Sequence, residues 1–395
     1  MPLDTAQADA SIEPPQATAE KRPPSLTNAF KTFRRKLVAN PSFRAFAQKT
    51  PLLRSVASSS ANDVFALTSG FINSQILLAC AELNLFETLS DTERSAARLA
   101  QKWDMTAERA LRLLQAAEGI GLIYRTSDGK YGLDEHGIVI AQSPGILAMV
   151  RHHRAVYRDL ADPVALLRAP QTNTETSQFW SYVGSPDDWG KRVGTEDADS
   201  YSTLMRLSQQ MVIEQVLGAY PVGKHHSRLI DVGGGNGAFV TEAASRWDAL
   251  EVGIFDLPPV ADNAGKRLAE SSFNSRLTIY AGSFFEDAVP HDADCYSLMR
   301  VLYDHNDDAA LSILRNVRSA MNPGDTLIIG EPMAGDRAGE RLVQAYFGFY
   351  LLAMQSGKCR TAKELQKMLM RAGFRRSKRV STALPVISGL VVAQA

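Results

Sequence analysis

The stretch "LIDVGGGNGAF" (residues 229–239) joins a short β-rich run to a helical pattern through a loop of glycines. Gly233, Gly235 and Gly237 let the backbone turn tightly and let a ligand come close to it. Strand, glycine loop and helix form the repeating unit of a doubly wound α/β sheet, whose ligands bind beyond the carboxyl ends of the strands. The spacing also fits a dinucleotide fingerprint, with Gly233, Gly235 and Ala238 in the three small positions. Two acids bear on the choice. Asp231 stands two residues before the first glycine, where it repels a pyrophosphate but not the cationic amino-acid end of S-adenosylmethionine. Asp256, followed by Leu257, ends the next strand in "EVGIFDLP" and is placed to accept from both ribose hydroxyls of either ligand. Asp231 therefore favours S-adenosylmethionine (S-adenosyl-L-methionine) over a nicotinamide dinucleotide.

The alternation continues to the C-terminus. "RLTIYAGSFFED", "ADCYSLMRVLYDH", "DAALSILRNVRSAMNPGDTLIIGEPM" and "SGLVVAQA" interleave short β-rich runs with helices. Residues 211–395 are expected to form the catalytic, cofactor-binding α/β domain. Gly282, Ser283 and Phe284 follow the third strand; Ser283 suits an adenine edge and Phe284 its face. Glu331 ends a central strand, on the ligand side of the sheet. In "VLYDHNDD" (residues 301–308) an apolar run stops at Tyr303, Asp304 and His305, and a helix follows. Three proton-handling side chains thus reach the same end of the sheet. Asp304 is expected to cap the following helix.

Upstream, "GFINSQILLACAELNLFETL" repeats apolar residues at helical spacing. Two helices around a turn follow, then a hairpin turning at Asp128-Gly129. This is a winged-helix order, assigned to residues 61–145. The candidate recognition helix carries only Arg109 and Arg112 as cations. A dimerisation module is expected, and a ligand-sensing DNA-binding regulator is the alternative of a different class. Residues 146–210 are expected to be connecting helices lining the substrate site, joined by a Trp- and Gly-containing loop. Residues 1–60 form an N-terminal extension. Its first 26 residues are poor in large apolar side chains and are expected to be disordered. Residues 27–54 carry seven Lys/Arg and no acid, interleaved with Phe30, Phe33, Leu37, Phe43 and Phe46. That pattern suits a packed helix with a solvated basic face, or peripheral contact with a membrane surface.

Composition sets the remaining bounds. A chain of 395 residues accommodates two domains. Lys+Arg and Asp+Glu are 43 each, so no overall field gathers nucleic acid or lipid. No apolar run reaches the roughly 18 residues of a bilayer span, and the N-terminus lacks a signal-peptide pattern. Cys80, Cys295 and Cys359 are widely separated, which points to a reducing cytoplasm without disulfides or zinc.

From about residue 60 to the end, the chain resembles the S-adenosylmethionine-dependent O-methyltransferases of the plant caffeate/hydroxyindole type. "DVGGGNG", "FDLPPV", "GSFFED", "MRVLYDHNDD", "NPGDTLIIGEP" and "CRTAKELQKMLMRAGF" carry the resemblance. "VRHHRAVYRDLADPVALLR" and "AYFGFYLLAMQSGKCRT" look most like its purple-bacterial carotenoid branch, the hydroxyneurosporene/demethylspheroidene O-methyltransferases. The resemblance implies a Rossmann-like domain behind a helical dimerisation domain, a homodimer, and a hydroxylated carotenoid as the apolar small-molecule acceptor. It implies a donor site lined by Gly233 and its loop, Asp256, residues 282–284 and Arg300. In most of the family a His stands where this chain has Tyr303 and takes the substrate proton. Glu331 matches the carboxylate that orients it. Cys359 stands where a second acid usually precedes the Arg-Thr pair, so the His-plus-two-acids arrangement is not reproduced.

The missing His bears on mechanism. His can usefully deprotonate a phenol, with a pKa of about 10. A tertiary aliphatic alcohol is ionised by no side chain, and its proton leaves during or after attack. Tyr303 is assigned to orient the substrate hydroxyl and accept from it. His305, with a pKa expected near neutrality, is the candidate final acceptor, and Glu331 orients either. "QAYFGFYLLAM" is expected over the substrate, with Tyr346, Phe349, Tyr350 and Met354 making an apolar wall. His152, His153 and Tyr157 are expected to approach from "VRHHRAVYRDL". Adjacent histidines do not share a helix face, so no metal site is expected there. A polyketide or bacteriochlorophyll intermediate, methylated on oxygen or carbon, is the alternative acceptor.

Overall fold

The computed structural model describes residues 26–168, 173–179 and 195–395. The expected disorder at the N-terminus and the Trp- and Gly-containing loop fall on residues outside these, apart from Leu26, which opens a helix. The chain divides into two compact units, Met1–Ser74 and Gln75–Ala395.

In the first unit, helices Leu26–Ala39 and Pro41–Lys49 precede the start of helix Pro51–Glu82. Asn40 caps the second: its side chain accepts from the Ser42 and Phe43 amides, and Pro41 takes the first helical position. Phe33 and Phe46, 59% and 58% exposed, stand out from these helices. One expectation is corrected here. The 22 residues Ala61–Glu82 are long and apolar enough to cross a membrane by length and composition. Ser, Thr, Asn and Gln interrupt the apolar residues, so no continuous run shows in the sequence.

The second unit holds two sheets. In the small antiparallel one, β1 (Arg94–Ser95), β2 (Ile123–Arg125) and β3 (Lys130–Leu133) lie in the order β1-β3-β2. The hairpin turns at Gly129, whose φ of +83° favours glycine. Helices Ala96–Lys102 and Ala107–Gly119 pack beside it, burying Leu99, Ala110, Leu114 and Ala117 with Leu85 and Phe86.

The large sheet contains β4 (Arg228–Val232), β5 (Glu251–Asp256), β6 (Leu277–Ala281), β7 (Cys295–Met299), β8 (Thr326–Glu331), β9 (Arg376–Val380) and β10 (Gly389–Gln394), in the order β6-β5-β4-β7-β8-β10-β9. The first five are parallel; β10 runs antiparallel to both β8 and β9. β9, "RSKRV", escapes apolar periodicity because an edge strand needs no second buried face, and its cations blunt further pairing. One side of the sheet buries Leu311, Leu314, Leu365 and Leu369. The other buries Val216, Phe239, Val240 and Leu268.

Strand order reverses between β4 and β7, so the glycine loop and the segment after Met299 flank the switch-point crevice. That segment is not the strand end its sequence suggests. β7 stops at Met299, Arg300 adopts φ +57°, and Leu302–Asp304 is a 3-10 turn. The left-handed backbone at Arg300 breaks the pleat. Asp304 is not a helix cap either: Asn306 holds the N-cap position of helix Asp307–Ala320, and Asp304 turns inward, 6% exposed.

Candidate active site

The glycine loop shows why its residues are small. Gly233, Gly235 and Gly237 have φ of +71°, +57° and +78°. A Cβ on Gly233 would stand 2.9 Å from Val301 Cγ2 and 3.5 Å from the Phe284 ring, whereas one on Gly235 would meet nothing within 4 Å. Gly235 therefore faces the open side. Asp256 organises the loop through both oxygens: Oδ2 accepts from the Gly235 amide at 2.7 Å and Oδ1 from the Leu257 amide at 2.7 Å. Burial raises its proton affinity, and these two amides oppose the rise. Its carbonyl accepts from the Gly282 amide at 2.9 Å. Gly282 itself is required by Phe255, whose ring a Cβ would approach to 2.6 Å.

Asp231 departs from the reading made of it. It lies beneath the loop, 1% exposed, with Oδ1 accepting from Ser297 Oγ at 2.6 Å. Its Oδ2 sits 3.1 Å from where a Gly234 Cβ would be. Burial raises its pKa to about 7 against the Ser297 bond. It supports the loop from below, where residues of a central parallel strand are covered by the layers on either side of the sheet. Ser283 also serves locally, accepting from the Phe285 amide at 3.2 Å.

The segment 300–305 points its side chains in two directions. Val301 faces Gly233. His305 stands edge-on to Phe284 and Phe285, ring centroids 5.8 Å and 5.4 Å away. Tyr303 turns the other way, 1% exposed, into a cluster with Val156, Tyr350, Leu351 and Met354, flanked by Phe179 and Phe347. The donor-side loop and this aromatic cluster meet at one turn. Near-neutral titration of His305 is not what the structure yields: burial, with Arg360 adding to it, lowers its pKa to about 4. The Tyr303 hydroxyl accepts from Arg300 Nη2 at 2.9 Å. Burial raises its pKa well above the usual phenol range, so the phenol stays neutral.

The turn is clamped from outside. Arg360, 0% exposed, donates Nη1 to Leu302 O and Nη2 to His305 O, each at 2.7 Å, and Nε to Asp307 Oδ1 at 2.9 Å. The Lys358 amide donates to Tyr303 O at 2.8 Å and Ser356 Oγ to Asp304 O at 2.8 Å. Glu331 Oε2 accepts from the Tyr303 amide at 3.1 Å. Glu331 thus orients the backbone of Tyr303 and not its hydroxyl. Burial raises the Glu331 pKa to about 8, opposed by Arg360.

The O-methyltransferase domain family matches residues 157–375, which include the glycine loop, Asp256, the clamped turn, Glu331 and Arg360. This chain belongs to that family. Over 358 residues the methyltransferase is 35% identical to the demethylspheroidene O-methyltransferase of Cereibacter sphaeroides, covering 91% of this chain and 93% of that one. It is 36% identical over 350 residues to the Rhodobacter capsulatus enzyme of the same name, covering 88% and 85%. Human N-acetylserotonin methyltransferase, solved in complex with SAM, superposes with a TM-score of 0.69 at 22% identity, covering 85% of this chain and 97% of that one. This last likeness concerns the fold.

The methyltransferase also joins helix Pro144–Asp159 to helix Ala338–Met354 through two side-chain pairs. His152 Nε2 and Tyr350 Oη are 2.8 Å apart, and His153 Nε2 and Tyr346 Oη 2.7 Å. Tyr346 and Tyr350 lie one turn apart, so adjacent histidines serve one facing helix after all. Burial lowers both His pKa values to about 4, leaving neutral rings in these bonds. Tyr157 sits against His153, ring centroids 6.1 Å apart. Met354 is buried beside Tyr303, whereas Phe349, 43% exposed, faces away from that cluster. The sequence reading did not foresee the pairing of His152 with Tyr350, and it missed Arg360. An arginine directly after the segment's Cys359 offered a signal, but its role depends on carbonyls 55 to 58 residues away.

Proposed function

We propose that this methyltransferase moves a methyl group from S-adenosylmethionine to a hydroxyl of a long apolar acceptor, a hydroxylated carotenoid of the demethylspheroidene/hydroxyneurosporene type. The carrying observation is the Tyr303 hydroxyl, set into a cluster otherwise built of Val156, Leu351, Met354, Phe347 and Tyr350. Such walls suit a polyene and offer little to a small phenolic acid. A pocket of about 500 Å³ opens beside Leu351 and Cys359, reaching Leu166 and Gly348, and adds room for length. The two relatives named for demethylspheroidene point the same way.

The open side of the glycine loop fits the methyl donor, with Asp256 for its ribose hydroxyls once the Gly235 and Leu257 amides yield them. Leu257, Gly282, Ser283 and Phe284 border the same crevice, and His305 joins Phe284 and Phe285 as its aromatic wall. When bound, the donor supplies a methyl group already activated on a sulfonium. The chain's own residues position the acceptor and exclude water. Tyr303 orients the hydroxyl, Arg300 holds Tyr303, and Glu331 with Arg360 fixes the turn that carries them. His153, Tyr157, Tyr346, Tyr350 and Met354 line the acceptor side.

Incubating the purified enzyme with labelled donor and a panel of hydroxycarotenoids, polyketide alcohols and aromatic alcohols tests this. Preferred methylation of a hydroxycarotenoid supports it; preference for another class replaces it. Salt-dependent DNA binding without methyl transfer would favour the regulator instead. We further propose a homodimer working in the cytoplasm at the membrane surface, with the basic, Phe-bearing residues 27–54 helping to collect a lipid-soluble substrate. A truncation lacking them that binds anionic liposomes and turns over substrate as well as the full chain would remove that role.

A further inference from the structure

Methyl transfer to a neutral alcohol releases a proton, and the groups assigned so far do not keep it. Tyr303 is buried and neutral, and His305 is packed against Phe284 and Phe285. Glu331 reaches the backbone amide of Tyr303, not its hydroxyl. Asp304 is different. It follows Tyr303 in the turn and is 6% exposed; its Oδ1, like Glu331 Oε1, is buried without a hydrogen-bond partner among the described residues, but the other Glu331 oxygen already takes the Tyr303 amide. An unpartnered buried carboxyl oxygen is costly and calls for a reason. Its carboxyl is close enough to the Arg300 guanidinium and the Tyr303 hydroxyl for both to favour its charged form.

We propose that Asp304 is the terminal proton acceptor of the methyl transfer, reached through the Tyr303 hydroxyl. This rests on the alcohol-methylating function proposed above. A tyrosine hydroxyl has one proton to donate and two lone pairs to accept with. At Tyr303 one lone pair takes the Arg300 Nη2 hydrogen. The second is left for the substrate hydroxyl, and the phenolic proton for Asp304. As the new O–CH₃ bond forms and the S–CH₃ bond breaks, the substrate O–H proton passes to the Tyr303 oxygen. The Tyr303 proton passes to the Asp304 carboxylate. The sulfonium becomes a neutral thioether and the carboxylate a neutral acid, so charge balances and Tyr303 ends as it began.

The surroundings suit such a base. Burial raises the Asp304 pKa to about 7, with Arg300 and Tyr303 opposing the rise. Glu331, from β8, is the second acid nearby, its own proton affinity raised by Asp304 and lowered by Arg360. Of the two carboxyls, Glu331 is engaged by the Tyr303 amide, which leaves Asp304 to serve the hydroxyl as general base.

The test is the pH profile of kcat in the full-length enzyme with saturating S-adenosylmethionine and the best acceptor of the panel. Wild type is expected to show an acid limb with a midpoint near pH 7. Asp304→Asn is expected to lower kcat about 100-fold, keep both KM values within about threefold, and lose the limb. Asp304→Glu restores part of kcat and moves the midpoint. A limb that survives in Asp304→Asn, or a kcat within about threefold of wild type, overturns the proposal. So does a limb lost in His305→Gln but kept in Asp304→Asn. Should the Asn variant not fold, the Glu variant decides: an unmoved midpoint overturns it. If wild type methylates no carotenoid, the substrate proposal fails separately, and the profile is read with the alcohol it does methylate.

Discussion

The guanidinium of Arg300 spans two partners, donating Nη2 to the Tyr303 hydroxyl at 2.9 Å and Nη1 to Ser208 Oγ at 2.7 Å. It does so from a left-handed backbone, φ +57°, at the end of β7. A non-glycine residue held there costs of order 1 kcal/mol and persists because its surroundings over-determine it. The aimed hydroxyl is what that strain secures. Tyr303→Phe keeps the ring against Phe347 but removes the oxygen. Steady-state kinetics should show kcat reduced about 100-fold with KM changed less than about threefold. An unchanged kcat refutes the role of Tyr303.

Arg360 should matter through position alone. Lysine at 360 cannot span Leu302 O, His305 O and Asp307 at once. Stranding buried carbonyls costs roughly 1–3 kcal/mol each. Arg360→Lys is expected to lower the unfolding free energy measured by urea denaturation by an amount of that order and to reduce kcat more than it raises KM. Full stability in the variant would show the clamp to be dispensable.

Asp256 holds two loop amides and is proposed to hold the donor's ribose. Asp256→Ala should abolish S-adenosylmethionine binding in calorimetry. Wild type should bind that donor and give no heat with NAD. Gly233→Ala should weaken binding too, because its φ of +71° and the 2.9 Å approach to Val301 both oppose a side chain.

Glu331 makes stability depend on pH. Its folded pKa is raised from 4.5 to about 8, so its contribution is full below the unfolded value and is lost as pH rises through about 8. Melting temperature should therefore fall between about pH 5 and pH 9. Glu331→Gln, which cannot ionise, should flatten that fall. An equally steep fall in the variant would assign the effect elsewhere.

Gly348 lines the pocket beside Leu351, and a Cβ there would meet nothing within 4 Å. Gly348→Phe should fill the space without unfolding the helix. The KM for a long polyene should rise about tenfold while that for a short tertiary alcohol stays put. Equal changes for both acceptors would separate the pocket from chain length.

Much of the site was legible because its chemistry lies in short local patterns. The glycine loop, Asp256 and the "GSFFED" segment follow strands in sequence, and a strand end is itself a position in space. Less legible was anything that joins distant segments. Nothing near Asp304 in sequence tells a cap from a buried carboxyl, since both follow a turn. The difference lies in how the turn folds Asp304 inward toward Arg300 and the distant Glu331. The pairing of His152 with Tyr350 and of His153 with Tyr346 spans 198 and 193 residues and depends on how two helices face each other.

The sequence by itself determined the class of fold, the glycine turn after the first strand of the large sheet and the absence of the expected histidine at 303, because glycine spacing, strand–helix alternation and residue identity are local properties. Only the tertiary structure decided that Asp231 lies beneath the loop, that His305 belongs with the phenylalanines, and that Arg360 and Glu331 pin the turn. Burial and hydrogen-bond partners arise when segments far apart in the chain close on one another. They set whether a carboxyl or an imidazole can move a proton.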